Sequence, residues 1–229
     1  MKKYLLLLIL AVSLVVGACS NTDETTQEKS SETESTEKQE KQTENEKEKT
    51  GTQENEEETK NQADLFDIKL NAEKDTIELV QAGGKTVVLA EDMPSEPVKS
   101  PNGEKAAYLS PYGWETMSNL YLVDLHDGSQ DVLVPFDAEK KPKEVVWEDD
   151  QHVLVIIGYP HGTVSVGGNI YRINIETKET EAVTDYGDEI QITDLRIEDG
   201  VLYYSGVQYT DENMNEKKDY SNQISLKTE

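Results

Sequence analysis

Residues 146–159 read VWEDDQHVLVIIGY. A short β-branched and aromatic start is followed by a cluster of acids suited to a turn, then by a run of large apolar residues suited to a strand. The same order of strand, turn and strand recurs upstream as VKSPNGEKAAYLS (98–110) and downstream as LRIEDGVLYYSG (195–206). The turns differ in detail, but each holds Asn-Gly or acidic residues that favour a hairpin. A second hairpin follows the first two copies: NLYLVDLHDGSQDVLV (119–134) matches NIYRINIETKETEAVT (169–184), and NQISL (222–226) has the look of the first half of a third. The spacing between copies is close to 50 residues. A period of this length built from four short strands is the signature of a propeller blade.

Two further segments extend the pattern toward the N-terminus. Thr76 to Gln81 and Lys85 to Ala90 flank Ala82, Gly83 and Gly84 as a hairpin resembling the second half of a blade, and Leu65 to Leu70 is a candidate strand before it. Convincing helical periodicity is absent from Asp64 onward. The expected fold is therefore all-β: an incomplete or small β-propeller-like domain of about three to four four-stranded antiparallel blades over residues 64–229, with an open curved sheet or a sandwich as alternatives. The last blade lacks a fourth strand, and an N-terminal strand is expected to supply it and close the ring.

The tetrad Ser100, Pro101, Asn102, Gly103, followed by a strand and then by Leu120, Tyr121, Leu122, Val123 and Asp124, resembles the repeats of TolB-like periplasmic propellers over about residues 96 to 229. That resemblance implies a soluble extracytoplasmic propeller and assigns no chemistry to any residue.

The first residues carry a different message. Lys2 and Lys3 precede an apolar run from Leu5 to Val16, interrupted by Ser13, and then the small residues Gly17 and Ala18. This is the layout of a secretory signal over residues 1–18, and the run is short of the ~20 residues that span a bilayer. Val16, Gly17, Ala18 and Cys19 resemble the lipobox of bacterial lipoproteins, which implies cleavage before Cys19 and acylation of its sulfur. Cleavage without lipidation, or an uncleaved anchor, are the competing readings. Cys19 is the single cysteine of the chain, so neither a disulfide nor a cysteine metal site is available.

From Ser20 to Gln62 there is no large apolar or aromatic residue and no proline. Such a segment cannot bury enough surface to offset chain entropy, so residues 19–63 are read as a lipidated cysteine and a disordered Glu/Lys/Thr-rich linker, reaching roughly 35–40 Å as a flexible coil. A spacer beside a lipobox resembles those of Gram-positive lipoproteins. With 14 acids against 6 bases in the spacer and two lysines in the signal, the net charge of −25 leaves about −19 on residues 64–229. Nucleic acid and anionic lipid headgroups both require a basic face, so charge excludes them as partners.

No nucleophile elbow, phosphate loop or zinc-protease motif occurs, and no catalytic residue, metal ligand or cofactor is assigned. His126, His152 and His161 have no ligand spacing and read as turn or surface residues. Asp211, Asn213 and Asn215 have the alternation of a calcium loop, but Glu216 and Asn222 stand where glycine and glutamate are required. Architecture offers a better candidate. In a four-stranded meander, the loops joining second to third strands fall on one end of the ring, and here they carry Tyr112 and Trp114, Tyr159 with His161, and Tyr209. Aromatics combine apolar area with a polar handle and suit interfaces, although packing between blades is the competing account.

The functional expectation is a monomeric, membrane-anchored extracytoplasmic lipoprotein, held in the bilayer through acylated Cys19, whose aromatic loop face binds an envelope protein or polymer. The alternatives are a cell-envelope hydrolase using paired carboxylates and a sensor or structural ectodomain. Cys19→Ser should move the protein out of the membrane fraction, or leave it unprocessed, without changing the melting temperature of the domain; fractionation with immunoblotting and thermal melts check both parts.

Overall fold

The computed structural model describes residues 65–226. The signal, the lipobox with Cys19 and the spacer all lie outside the described residues. Among the described residues, fourteen strands form four antiparallel sheets in chain order. Blade 1 is β1 (Asp67–Asn71), β2 (Thr76–Val80) and β3 (Thr86–Ala90); blade 2 is β4 (Val98–Lys99), β5 (Lys105–Ser110), β6 (Asn119–Asp124) and β7 (Gln130–Val134). Blade 3 is β8 (Lys141–Trp147), β9 (His152–Gly158), β10 (Asn169–Asn174) and β11 (Thr180–Ala182), and blade 4 is β12 (Ile190–Glu198), β13 (Val201–Tyr209) and β14 (Lys217–Ser225). Every neighbouring pair is a meander hairpin. The fold is thus the expected all-β, propeller-like one, with four blades of which the two central ones have four strands.

Side-chain alternation explains how the sheets stack. On β5, Ala106 and Tyr108 pack toward blade 1 with Ile68, Ile77 and Leu79, while Ala107 and Leu109 pack toward blade 3 with Val145, Val153 and Val155. On β9 the same alternation sends Val153 and Val155 to blade 2, and Leu154 and Ile156 to blade 4 with Ile192, Leu195 and Leu202. A strand buried on both faces reads as a continuous apolar run, which is why KAAYLS and HVLVIIG lack the apolar-polar alternation of a half-exposed sheet. Polar bonds accompany the packing: Trp147 Nε1 donates to Val98 O across blades 2 and 3 (2.9 Å), and Tyr220, Tyr186 and Tyr204 form a chain of hydroxyls 2.9 Å apart beside the blade 3–4 core.

The turns follow the sequence signals. Asp199 and Gly200 both have positive φ (52° and 73°) and connect paired Glu198 and Val201, the two-residue geometry whose twist matches flanking strands. Between β6 and β7, Gly128 N donates to Asp124 O; between β10 and β11, Lys178 N donates to Asn174 O, each at 2.9 Å, so the same turn repeats in two successive blades.

Two expectations are corrected. No N-terminal strand completes the last blade: β1 pairs with β2 and β14 with β13, and neither has a second partner among the described residues. The Asn71 turn, in which Glu73 N donates to Asn71 Oδ1 and Lys74 N to Asn71 O, folds β1 back on β2, and Ile68 is consumed in the blade 1–2 core. Second, the final strand begins at Lys217 rather than near Asn222, because β13 continues to Tyr209 and holds Lys217 in register. The run KKDYS is polar and gives no apolar alternation from which to read a strand.

Blades 3 and 4 approach backbone to backbone. Gly168 N donates to Ile192 O (3.0 Å) and Ile192 N to Gly168 O (3.1 Å). A Cβ on the adjacent Gly167 would lie 1.9 Å from Ile192 O. Gly167→Ala should therefore cost ~2 kcal/mol or more, lowering the melting temperature by about 5 °C or more for a domain of this size; differential scanning calorimetry reads the shift.

Candidate functional site

The inner strands β8 and β12 carry matching irregularities. The register with the next strand breaks between Pro142 and Glu144 on β8, and between Ile192 and Asp194 on β12. Lys143 and Thr193 are the extra residues, one repeat apart. A bulge leaves a residue without a cross-strand partner and re-aims its side chain. Lys143, Glu144 and Thr193 accordingly line one cleft of about 300 Å³, whose remaining wall includes Tyr112, Trp114 and Ser118 from the β5–β6 loop and Ser165 from the β9–β10 loop.

Lys141 builds the wall. It is 2% exposed, and its ammonium donates to three carbonyls of the β5–β6 loop, Gly113 O (2.9 Å), Trp114 O (2.5 Å) and Thr116 O (3.1 Å). A buried ammonium is costly unless all its protons are bonded, and here each N–H has a carbonyl. The bonds hold the loop so that Trp114 stands 58% exposed and Tyr112 46% exposed. Burial lowers the Lys141 pKa, with Glu115 opposing the shift.

Lys143 Nζ donates to Ser165 O at 2.5 Å. Burial, reinforced by the Lys141 charge, pushes its amine down to about 8. Glu144 is shifted the other way: burial and the Asp194 carboxylate hold it above the usual carboxylate range. Burial and Glu144 also raise the Tyr112 hydroxyl. The cleft therefore combines an amine, a carboxyl, hydroxyls and two exposed rings.

The aromatic residues expected on the loop face separate into three settings. Tyr112 and Trp114 flank the cleft. Tyr159, 52% exposed, meets His161 edge to face at 5.7 Å between ring centroids and lines a neighbouring cavity of about 180 Å³ that shares Ser165 with the first. Tyr209 is 7% exposed, and its hydroxyl donates to Val164 O (2.9 Å), tying β13 to the β9–β10 loop. Asp211 is used locally, its Oδ1 accepting Asn215 N (2.8 Å) and Glu216 N (2.7 Å). His152 opens β9, with Nδ1 3.0 Å from Asp149 Oδ1.

Sequence reasoning missed Lys141, Lys143, Glu144 and Thr193. Aligning KPKE (141–144) with QITD (191–194) at the repeat spacing superimposes Glu144 on Asp194, a detectable signal. The bulges that turn these residues into the cleft have no sequence signature.

Residues 115–226 match the model of a family described as a domain of unknown function, DUF4652. No curated protein matches the chain. Among solved structures, the chain is similar to a protein of Clostridium novyi NT described as a conserved lipoprotein, with TM-score 0.55 and 23% identity over 71% of this chain and 97% of that one. It is also similar to TolB from Acinetobacter baumannii (TM-score 0.40, 18% identity, 69% of this chain and 38% of that one). The β-propeller domain of the Trilobed protease from Pyrococcus furiosus gives TM-score 0.41 and 14% identity, over 65% of this chain and 45% of that one. The chain thus spans less than half the length of these last two. The Clostridium likeness extends over nearly the whole of that chain and shows a shared fold.

The displaced pKa of Lys143 has a stability consequence. Its amine loses its proton near 8 in the folded chain and near 10.5 when unfolded. Between those values the unfolded chain binds more protons, so this group's contribution to stability rises with pH. Urea unfolding at pH 7, 8.5 and 10 should show the wild type gaining stability relative to Lys143→Met as pH increases; a constant difference would contradict the assignment.

Proposed function

We propose that this protein is a lipid-anchored extracytoplasmic binding module that captures its ligand in the loop-face cleft. The observation that carries the reading is the cleft itself, where exposed Trp114 and Tyr112 stand beside Lys143 and Glu144 on a loop pinned from below by Lys141. Exposed rings next to a few convergent polar groups are the usual composition of a recognition site. The signal-like start and the Val16–Cys19 lipobox support attachment at the outer face of the cell membrane, and the description of the Clostridium protein as a lipoprotein agrees with it. In this reading the chain acts as a monomer, acylated Cys19 holds the bilayer, the polar stretch 20–63 supplies reach, and the partner is an envelope protein or polymer.

A photo-crosslinking amino acid placed at Tyr112 or Trp114 in the native envelope tests the reading. Specific adducts identified by mass spectrometry should form there and not from Glu176, which is exposed on the β10–β11 turn at the opposite end of the blade. Equal labelling from the two ends, or no adduct from the cleft, would remove the support.

A further inference from the structure

Two opposite charges share the cleft without neutralising each other. Lys143 gives one N–H to Ser165 O and makes no ion pair with a carboxylate among the described residues, which leaves two N–H groups for a ligand. Glu144 is acted on by burial and by Asp194 alone, with no hydrogen bond or cation among the described residues to stabilise its carboxylate. Consecutive residues of a regular strand project to opposite faces, but the break in register between Pro142 and Glu144 lets both line one cavity. Lys141 cannot serve as the anion site, since its three protons are already bonded to loop carbonyls.

A ligand carrying one sign of charge satisfies one of these groups and is opposed by the other. A ligand carrying both signs satisfies each in turn. The volume, about 300 Å³, is at the small end of ligand pockets. From these features we propose that the cleft binds a zwitterionic small ligand of the amino-acid or short-peptide class, its carboxylate on Lys143 Nζ and its ammonium on Glu144, with Trp114 and Tyr112 against its apolar part. The inference rests on the binding role of the same cleft and names the ligand's chemistry.

Calorimetric titration of the full-length mature protein with alanyl-alanine, N-acetyl-alanyl-alanine and alanyl-alanine amide tests it. The free dipeptide should bind saturably, and blocking either end should weaken binding at least ~10-fold, the usual effect of losing a charge-assisted hydrogen bond. Lys143→Met should abolish the preference for a free carboxylate while keeping that for a free amine, and Glu144→Gln the reverse. The comparison between ligands needs no variant, so a variant that fails to fold leaves the test intact. Absence of saturation up to about 10 mM dipeptide, or equal binding of the blocked forms, overturns the proposal. Sensitivity to one end only also overturns it, in favour of a single-ion ligand. If envelope adducts form at Tyr112 and Trp114 while the dipeptides fail, the zwitterion falls and the binding module stands; saturable dipeptide binding without adducts keeps the cleft as a small-ligand site and removes the macromolecular partner, and failure of both removes the binding role.

Discussion

Burial of both faces of β5 and β9 is the constraint from which the rest of the structure follows. Val153, Leu154, Val155 and Ile156 are all fully buried, and alternation assigns them in turn to blade 2 and blade 4. A strand of this kind is stable only between two other sheets, because at roughly 25 cal/mol per Å² of apolar surface either exposed face would be strongly unfavourable. The central blades therefore require outer neighbours, and three apolar clusters join the four sheets in series. With β1 committed to β2, the series has two ends, one on blade 1 and one on blade 4.

Those ends are managed by polarity. On the outward side of blade 4, Arg196 lies 4.6 Å from the ring centre of Tyr203 and pairs with Glu198. On blade 1, the buried Glu78 is met by Asn71 and Lys74 at 2.8 and 3.2 Å, which keeps its carboxyl below the usual range. Terminal units of stacked repeats need such polar faces to remain soluble. The open edge of β14 begins with Lys217 and Lys218, and lysines on an edge strand discourage pairing with another chain.

The cleft arises where this regular stack is interrupted. Bulges on β8 and β12, one repeat apart, lift Lys143 and Thr193 out of the ladder next to the close backbone approach of Gly168 to Ile192. Lys141 then holds the β5–β6 loop through three carbonyls, so a residue of blade 3 decides how blade 2 presents Trp114. The cleft is thus a property of the junction between blades, and the packing of one blade on the next fixes where its charges lie.

Much of the fold was legible in the sequence, since strand alternation, Asn-Gly and Asp-Gly turns and a repeat near 50 residues are local signals repeated often enough to reinforce one another. The loop positions of Tyr112, Trp114 and Tyr159 were also legible, because they follow from strand count, but the exposure of the rings was not, since an aromatic on such a loop carries the same sequence signal when it packs between blades. Tertiary structure alone decided that Tyr209 is buried under Val164, that β1 does not close the ring, and that Lys141, Lys143 and Glu144 matter most at the cleft. Each of those depends on which backbone groups meet across blades. A lysine in KPKE carries the same sequence signal whether solvent or three carbonyls surround its ammonium, and only the packing of one blade on the next distinguishes them.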